Sequence, residues 1–301
     1  MYGAIIGDIV GSKYEFDNIK TKDFPFISQG CGFTDDSVMT IAVASALLQS
    51  RNEGHPFKPL LVRKMQALGQ KYPYAGYGGM FSSWLVEENP SPYNSFGNGS
   101  AMRVSPCGLI AVTLDEAIAL AEASAEVTHN HPEGIKGAEA TAAAIFLAKT
   151  GASKEKIREY ICEHYYNLTQ TLDQIRPTYW FNETCQETVP QAIVAFLESE
   201  SYEEAVRNAV SLGGDSDTLA AITGAIAWSF YRFNSPPSDR ETRKKEGRVW
   251  PESCDKIITE YGIDSLLPKE FVDTIEQLDV VRMQRAGTYA RTGFCSQITI
   301  E

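Results

Sequence analysis

Thr34-Asp35-Asp36-Ser37 opens an apolar run from Val38 to Leu48, and Gly213-Gly214-Asp215-Ser216-Asp217-Thr218 opens another from Leu219 to Phe230. One such cluster alone reads as a helix cap, because Thr, Ser and Asp accept from exposed N–H groups and first-turn acids complement the helix dipole. Capping needs one such residue, however, not two acids and a threonine each time. The runs that follow are also too apolar for surface helices, so both clusters belong at the mouth of a buried core. If the fold brings them together, four carboxylates converge with no basic neighbour in either motif, and that requires a cation. Hard oxygen ligands select Mg²⁺, Mn²⁺ or Ca²⁺ over zinc. The pattern points to a metal-dependent enzyme.

Three further segments carry candidate chemistry. Gly7-Asp8-Ile9-Val10-Gly11 reads as a glycine-bracketed turn supported by Asp8. Glu15 follows it between Tyr14 and Phe16, a carboxylate in an aromatic setting able to act on water or a hydroxyl. Ser95-Phe96-Gly97-Asn98-Gly99-Ser100, entering a helix at Ala101, reads either as an ordinary capped loop or as backbone N–H groups cradling a diphosphate. Phe96 would stack on a base or bury itself. Thr128-His129-Asn130-His131 holds two of the four histidines, with no Cys or third His at ligand spacing, so a zinc hydrolase is not expected. His129 reads as structural or as a ligand contact. Asp215-Ser216-Asp217-Thr218 misses the Asp-x-Asp-x-Thr of haloacid dehalogenase phosphatases by one position, and Asp35-Asp36-Ser37-Val38-Met39 lacks the last acid of the terpenoid synthase motif.

The elements that must position these residues are helical. Periodicity predicts helices near 36–50, 58–70, 101–112, 115–126, 133–149, 153–165, 188–199, 202–211, 217–232, 253–261 and 268–279, several rich in alanine. Asn208–Leu212 and Ser296–Ile300 are the best strand candidates, and neither makes a sheet. No linker or composition shift divides the 301 residues, so one all-α domain over 1–301 is expected. Loops at 72–79, 89–100 and 234–252 stand out, and the segment 280–301 with Arg282, Arg285 and Arg291 has no assigned role.

Composition narrows the class. A hydrophobic content of 43% with 22% charged residues is that of a globular protein with a sizeable core. No apolar run approaches the roughly 20 residues of a membrane span. Met1-Tyr2-Gly3-Ala4-Ile5-Ile6 carries no basic leader and Asp8 soon interrupts it, which does not fit a signal peptide. Six scattered cysteines without a C-x-x-C pair fit reduced, mostly buried thiols, so a cytoplasmic location is expected. A net charge of −12 argues against a duplex nucleic-acid surface but not against a small phosphate-bearing ligand.

In this order the motifs resemble the ADP-ribosylglycohydrolase family, the relatives of the dinitrogenase reductase-activating glycohydrolase. The likeness runs through Gly7-Asp8…Glu15, Thr34-Asp35-Asp36-Ser37, Gly97-Asn98-Gly99-Ser100-Ala101-Met102-Arg103, Thr128-His129 and Leu212-Gly213-Gly214-Asp215-Ser216-Asp217-Thr218. It implies an all-α, single-domain orthogonal helical bundle with two Mg²⁺ ions in a cleft, Mn²⁺ being a possible substitute. It further implies Thr34, Asp35, Asp36, Asp215, Asp217 and Thr218 as metal ligands, and Glu15, with the metal-binding Asp35 and Asp36, as the catalytic acids and bases. Asn94, Ser95, Phe96, Gly97, Asn98, Gly99, Ser100 and His129 would bind substrate. Ser37 departs from the threonine many members carry, at a position that is not a principal ligand. The implied reaction is release of ADP-ribose from a protein or small-molecule substrate, with arginine as the expected acceptor. Serine, a nucleobase or a small O-linked group is the alternative, and an inactive ADP-ribose-binding homologue is the non-enzymatic one. The resemblance does not fix which carboxylate is the base, nor the oligomeric state.

Overall fold

The computed structural model describes residues 1–233, 254–292 and 298–300. Among them the secondary structure is helical, with one isolated bridge between Gly97 and Thr184 and no strand. The helices are α1 (Tyr2–Ser12), α2 (Asp35–Glu53), α3 (Phe57–Lys71), α4 (Gly79–Trp84), α5 (Gly99–Met102), α6 (Ser105–Ile110), α7 (Leu114–Glu126) and α8 (Pro132–Lys149). They continue with α9 (Lys154–His164), α10 (Leu172–Ile175), α11 (Cys185–Leu197), α12 (Tyr202–Val210), α13 (Ser216–Phe233), α14 (Cys254–Glu260) and α15 (Lys269–Thr292), with a 3₁₀ turn at Ile263–Leu266. No helix among the described residues is long and apolar enough to cross a membrane.

At the centre lies α13, buried along almost its whole length and packed by α1, α8, α11 and α12. Its alanines and Gly224 keep the backbone accessible to neighbours, and α1 exploits this with Gly3, Gly7 and Gly11, spaced one helical turn apart. A Cβ on Gly7 would sit 2.5 Å from the carbonyl carbon of Ala220, and one on Gly11 would sit 2.5 Å from the Cα of Asp217. The two helices therefore touch backbone to backbone. The Gly7–Gly11 segment is not the turn expected from its sequence but the second half of this buried helix. Its glycines signal close approach rather than chain reversal.

Other boundaries shift for local reasons. The expected helix at 101–112 is two short ones, α5 and α6, broken at Arg103-Val104 ahead of Pro106, which has no N–H to continue the ladder. Asn208–Leu212 is the end of α12 and the turn after it, because Val206, Ala209 and Val210 complete the buried stripe of a helix. Residues 298–300 form no strand, and the rest of that candidate, with Cys295 and the whole of the 234–252 loop, lies outside the described residues. The last expected helix runs on to Thr292 as α15, packed on α2 and α6. Arg285 is buried there, donating to the Ile110 carbonyl at 3.2 Å and ion-paired with Glu116, so this arginine of the unassigned tail holds the fold together. Cys107, Cys185 and Cys254 are buried free thiols, Cys31 is partly buried and Cys162 is exposed.

Candidate active site

The N-terminus of α2 and the N-terminus of α13 open into the same cleft, and α1 runs beside both. Thr34 caps α2: its hydroxyl accepts from the Asp36 N–H at 3.3 Å and donates to Asp8 Oδ1 at 2.7 Å. Asp8 Oδ2 accepts from the Thr34 N–H at 2.9 Å, from the Ser37 N–H at 3.1 Å and from the Ser37 hydroxyl. Asp8 is thus the brace that fixes the first turn of α2 against α1. Its carboxyl, pushed up to about 6 by burial, is held from rising further by these donors.

Oxygens of Asp8, Asp36 and Asp217 lie within 4.8 Å of one another, as do those of Glu15, Asp215 and Asp217. The two groups share Asp217. Burial and then the charges of neighbouring carboxylates drive Asp35, Asp36 and Asp217 well above the ordinary aspartate range. Glu15 is pushed up to about 7 by partial burial and the charge of Asp215. None of the ion pairs among the described residues neutralises these acids. Thr218 donates to Asp36 Oδ2 at 3.2 Å, whereas Asp36 Oδ1 is buried without any hydrogen-bond partner. An orphaned carboxylate oxygen beside like charges is costly unless a cation takes it up. The donors are carboxylates and a hydroxyl, with no thiolate or imidazole among them, so the residues present fit a hard divalent cation.

Of the other residues singled out in the sequence, Ser95, Gly97, Asn98, Gly99 and His129 line the cleft together with Gly76, Gly78 and Phe81. Asn98 points inward: its amide donates to Asp215 Oδ2 at 2.7 Å and to the Thr188 hydroxyl at 3.1 Å, orienting a carboxylate of the acidic group. Asn94 adopts φ 55° and its N–H donates to Asn130 Oδ1. Phe96 packs its ring on His131 with centroids 5.3 Å apart and is not among the lining residues. The Ser100 hydroxyl is buried on the Gly134 carbonyl at 2.6 Å, turned to the α8 side. Gly97 and Gly99 do not have positive φ; their lack of a side chain keeps open the space before His129 Nε2, which a Cβ on Gly99 would approach to 3.2 Å.

Several residues of the site escape sequence reasoning. Asn18 receives the Gly214 N–H on its Oδ1 at 2.7 Å and donates to the carbonyls of Tyr14, Glu15 and Gly214. One amide therefore ties the Glu15 segment to the Asp215 loop, whose Gly213 and Gly214 sit at φ 70° and 75° where other residues are strained. Asp8, Arg103, Tyr93 and Glu183 complete the surroundings. Asp8 stood in the sequence as the support of a turn and in a motif of the family resemblance, whereas the four-residue glycine period around it is a helix-packing period and places it on α1.

The sequence profile of the ADP-ribosylglycohydrolase family matches residues 1–254. The chain is similar to the ADP-ribosylhydrolase ARH3 of Homo sapiens, 26% identical over 332 residues that cover 84% of this chain and 87% of that protein. It is also similar to the ADP-ribosylarginine hydrolase Tri1 of Pseudomonas putida (strain GB-1), 25% identical across 93% of this chain and 78% of that one. A solved structure described as an ADP-ribosylglycohydrolase-related protein complex superposes with a TM-score of 0.61 at 23% identity, covering 79% of this chain and 87% of its own, a likeness of fold. The helical architecture, the order of the motifs and the extent of the profile match agree: this chain belongs to the ADP-ribosylglycohydrolase family of enzymes.

Proposed function

We propose that this protein is a divalent-metal-dependent hydrolase that cleaves the glycosidic bond of ADP-ribosylated substrates, with ADP-ribosyl-arginine the first among them. The observation that carries the metal is the buried Asp36 Oδ1 left without a partner inside a group of mutually repelling carboxylates. Asp35, Asp36, Asp215, Asp217 and Thr218 are the proposed ligands, and Thr34 serves the same site through the cap and Asp8. The proposed complement is two ions, Mg²⁺ or Mn²⁺, with Asp217 between the Asp36 side and the Asp215 side of the acidic group. Bound there, such ions supply Lewis-acid stabilisation of ribose oxygens and a water of lowered pKa.

The protein's own contribution follows from its geometry. The ribose anomeric carbon gains oxocarbenium character as the bond breaks, and carboxylates beside it stabilise that charge. Glu15, at the edge of the acidic group rather than at its centre, is the proposed acid–base residue; without metal, partial burial and the Asp215 charge push its carboxyl up to about 7. Ser95, Gly97, Gly99 and His129 line the wall proposed to receive the diphosphate and its adjoining ribose. Glu183, exposed at the rim, adds a negative charge that favours a guanidinium as leaving group. That agrees with the substrate named for the Tri1 relative. The test is release of ADP-ribose from arginine-, serine- and nucleobase-linked substrates with Mg²⁺ or with EDTA. Mg²⁺-dependent turnover of the arginine conjugate is expected. Turnover indifferent to EDTA would reject the metal, and turnover of the serine conjugate alone would reject the arginine assignment.

A further inference from the structure

His129 is almost wholly buried, 5% exposed, and only its Nε2 edge faces the cleft. Its Nδ1 lies 2.7 Å from the Thr128 hydroxyl oxygen. That oxygen already accepts from Arg103 Nη2 at 2.8 Å, and Arg103 Nη2 also donates to the Ser124 carbonyl at 2.7 Å. A guanidinium has no acceptor to offer, so the direction of the Arg103–Thr128 bond is fixed. Thr128 is fully buried and has a single hydroxyl hydrogen. If His129 donated from Nδ1, that hydrogen would be stranded without an acceptor; if Nδ1 accepts, both the Thr128 hydroxyl hydrogen and His129 Nδ1 are satisfied. Burial, reinforced by the nearby Arg103 charge, holds the imidazole neutral by moving its pKa well below the usual histidine range.

We infer that Arg103 and Thr128 are positioning residues which hold His129 as the tautomer protonated on Nε2, turning it into a fixed hydrogen-bond donor to an oxygen of the bound ligand. The donor then needs no proton from solvent and does not act as a base toward the ligand. An oxygen-rich, anionic group such as a diphosphate or a ribose hydroxyl is the matching chemistry. The identity of that ligand rests on the functional reading above, but the tautomer does not.

Long-range ¹H–¹⁵N correlation on the ligand-free protein reads the tautomer directly. Three other histidines, His55, His131 and His164, contribute signals, and His129→Gln identifies the pair that disappears. The expected spectrum has Nδ1 unprotonated and Nε2 protonated at neutral pH, and the reverse pattern overturns the inference. Thr128→Val, which keeps the shape and deletes the hydroxyl, should lose this preference and weaken ADP-ribose binding about fivefold, the worth of one hydrogen bond. Thr128→Ser should keep both. Retention of tautomer and affinity in Thr128→Val, or an equal loss in Thr128→Ser, refutes the role given to the hydroxyl. If Thr128→Val does not fold, the wild-type spectrum alone decides. Failure of the wild type to bind ADP-ribose with metal present would sink the functional reading and leave the spectrum to judge the tautomer.

Discussion

Gly11→Ala tests whether the site depends on the contact between α1 and α13. The new Cβ would lie 2.5 Å from the Asp217 Cα and 2.7 Å from its N, with the Ser216 carbonyl oxygen closer still. Moving from 2.5 Å to the 3.4 Å at which ordinary contact begins requires about 0.9 Å. Every obstructing atom is backbone, so no rotamer change relieves it. Overpacking of this kind costs about 1–3 kcal/mol, and with a backbone wall the upper end applies. Replacing a helical glycine by alanine returns at most about 1 kcal/mol of helix propensity. The clash wins by about 2 kcal/mol, or roughly 3 °C in melting temperature for a domain of 301 residues. The displaced atoms carry Asp217, and a shift near 1 Å in a catalytic constellation costs about 10²-fold in rate. Differential scanning calorimetry and ADP-ribose release measured side by side give both numbers. A variant that melts within about 1 °C of wild type and keeps its turnover would show that this close approach does not position the acids.

Asp36→Asn and Asp217→Asn should each abolish turnover while the metal-free protein melts at or above the wild-type temperature, because each removes a charge from a self-repelling group; retention of wild-type rates in saturating Mg²⁺ would reduce both to caps. Glu15→Ala should lose ~10²-fold or more in kcat with ADP-ribose affinity unchanged, and normal turnover would remove it from the chemistry. Asn18→Ala, which unties the Glu15 segment from the Gly213–Gly214 loop, should lower kcat without touching any ligand; unaltered kinetics would make the clamp merely structural. In EDTA the melting temperature should fall as pH rises from 5 to 8. Asp8 and Glu15 titrate in the fold at about 6 and about 7, above their usual values of 3.8 and 4.5. The folded state therefore binds the extra protons, and the stability they give is lost as pH passes through those values. Mg²⁺ should flatten this fall, and a metal-induced shift that does not grow with pH would contradict it.

The two acidic helix starts were legible in the sequence because capping chemistry and apolar runs are local. Thr34, Asp35 and Asp36 need only their own helix to announce themselves, and so do Asp217 and Thr218. The helical class and most helix positions were legible for the same reason, since amphipathic period and alanine content act over a few turns. α1 was not, because Gly3, Gly7 and Gly11 mark a turn by local propensity and a helix only when α13 lies against them. Asn98 reads as part of a ligand loop, yet its amide is spent on Asp215 across the fold. Asn18 carries no signal in the chain, and the path from Arg103 through Thr128 to His129 joins residues whose spacing follows no helical period. The sequence by itself determined which side chains could do chemistry, through short-range rules of capping, charge and periodicity. The tertiary structure alone decided which oxygens meet, which one is left without a partner and which nitrogen of His129 faces the cleft. Those are set by helix-to-helix distances, and distances between remote segments are not encoded in any local stretch of chain.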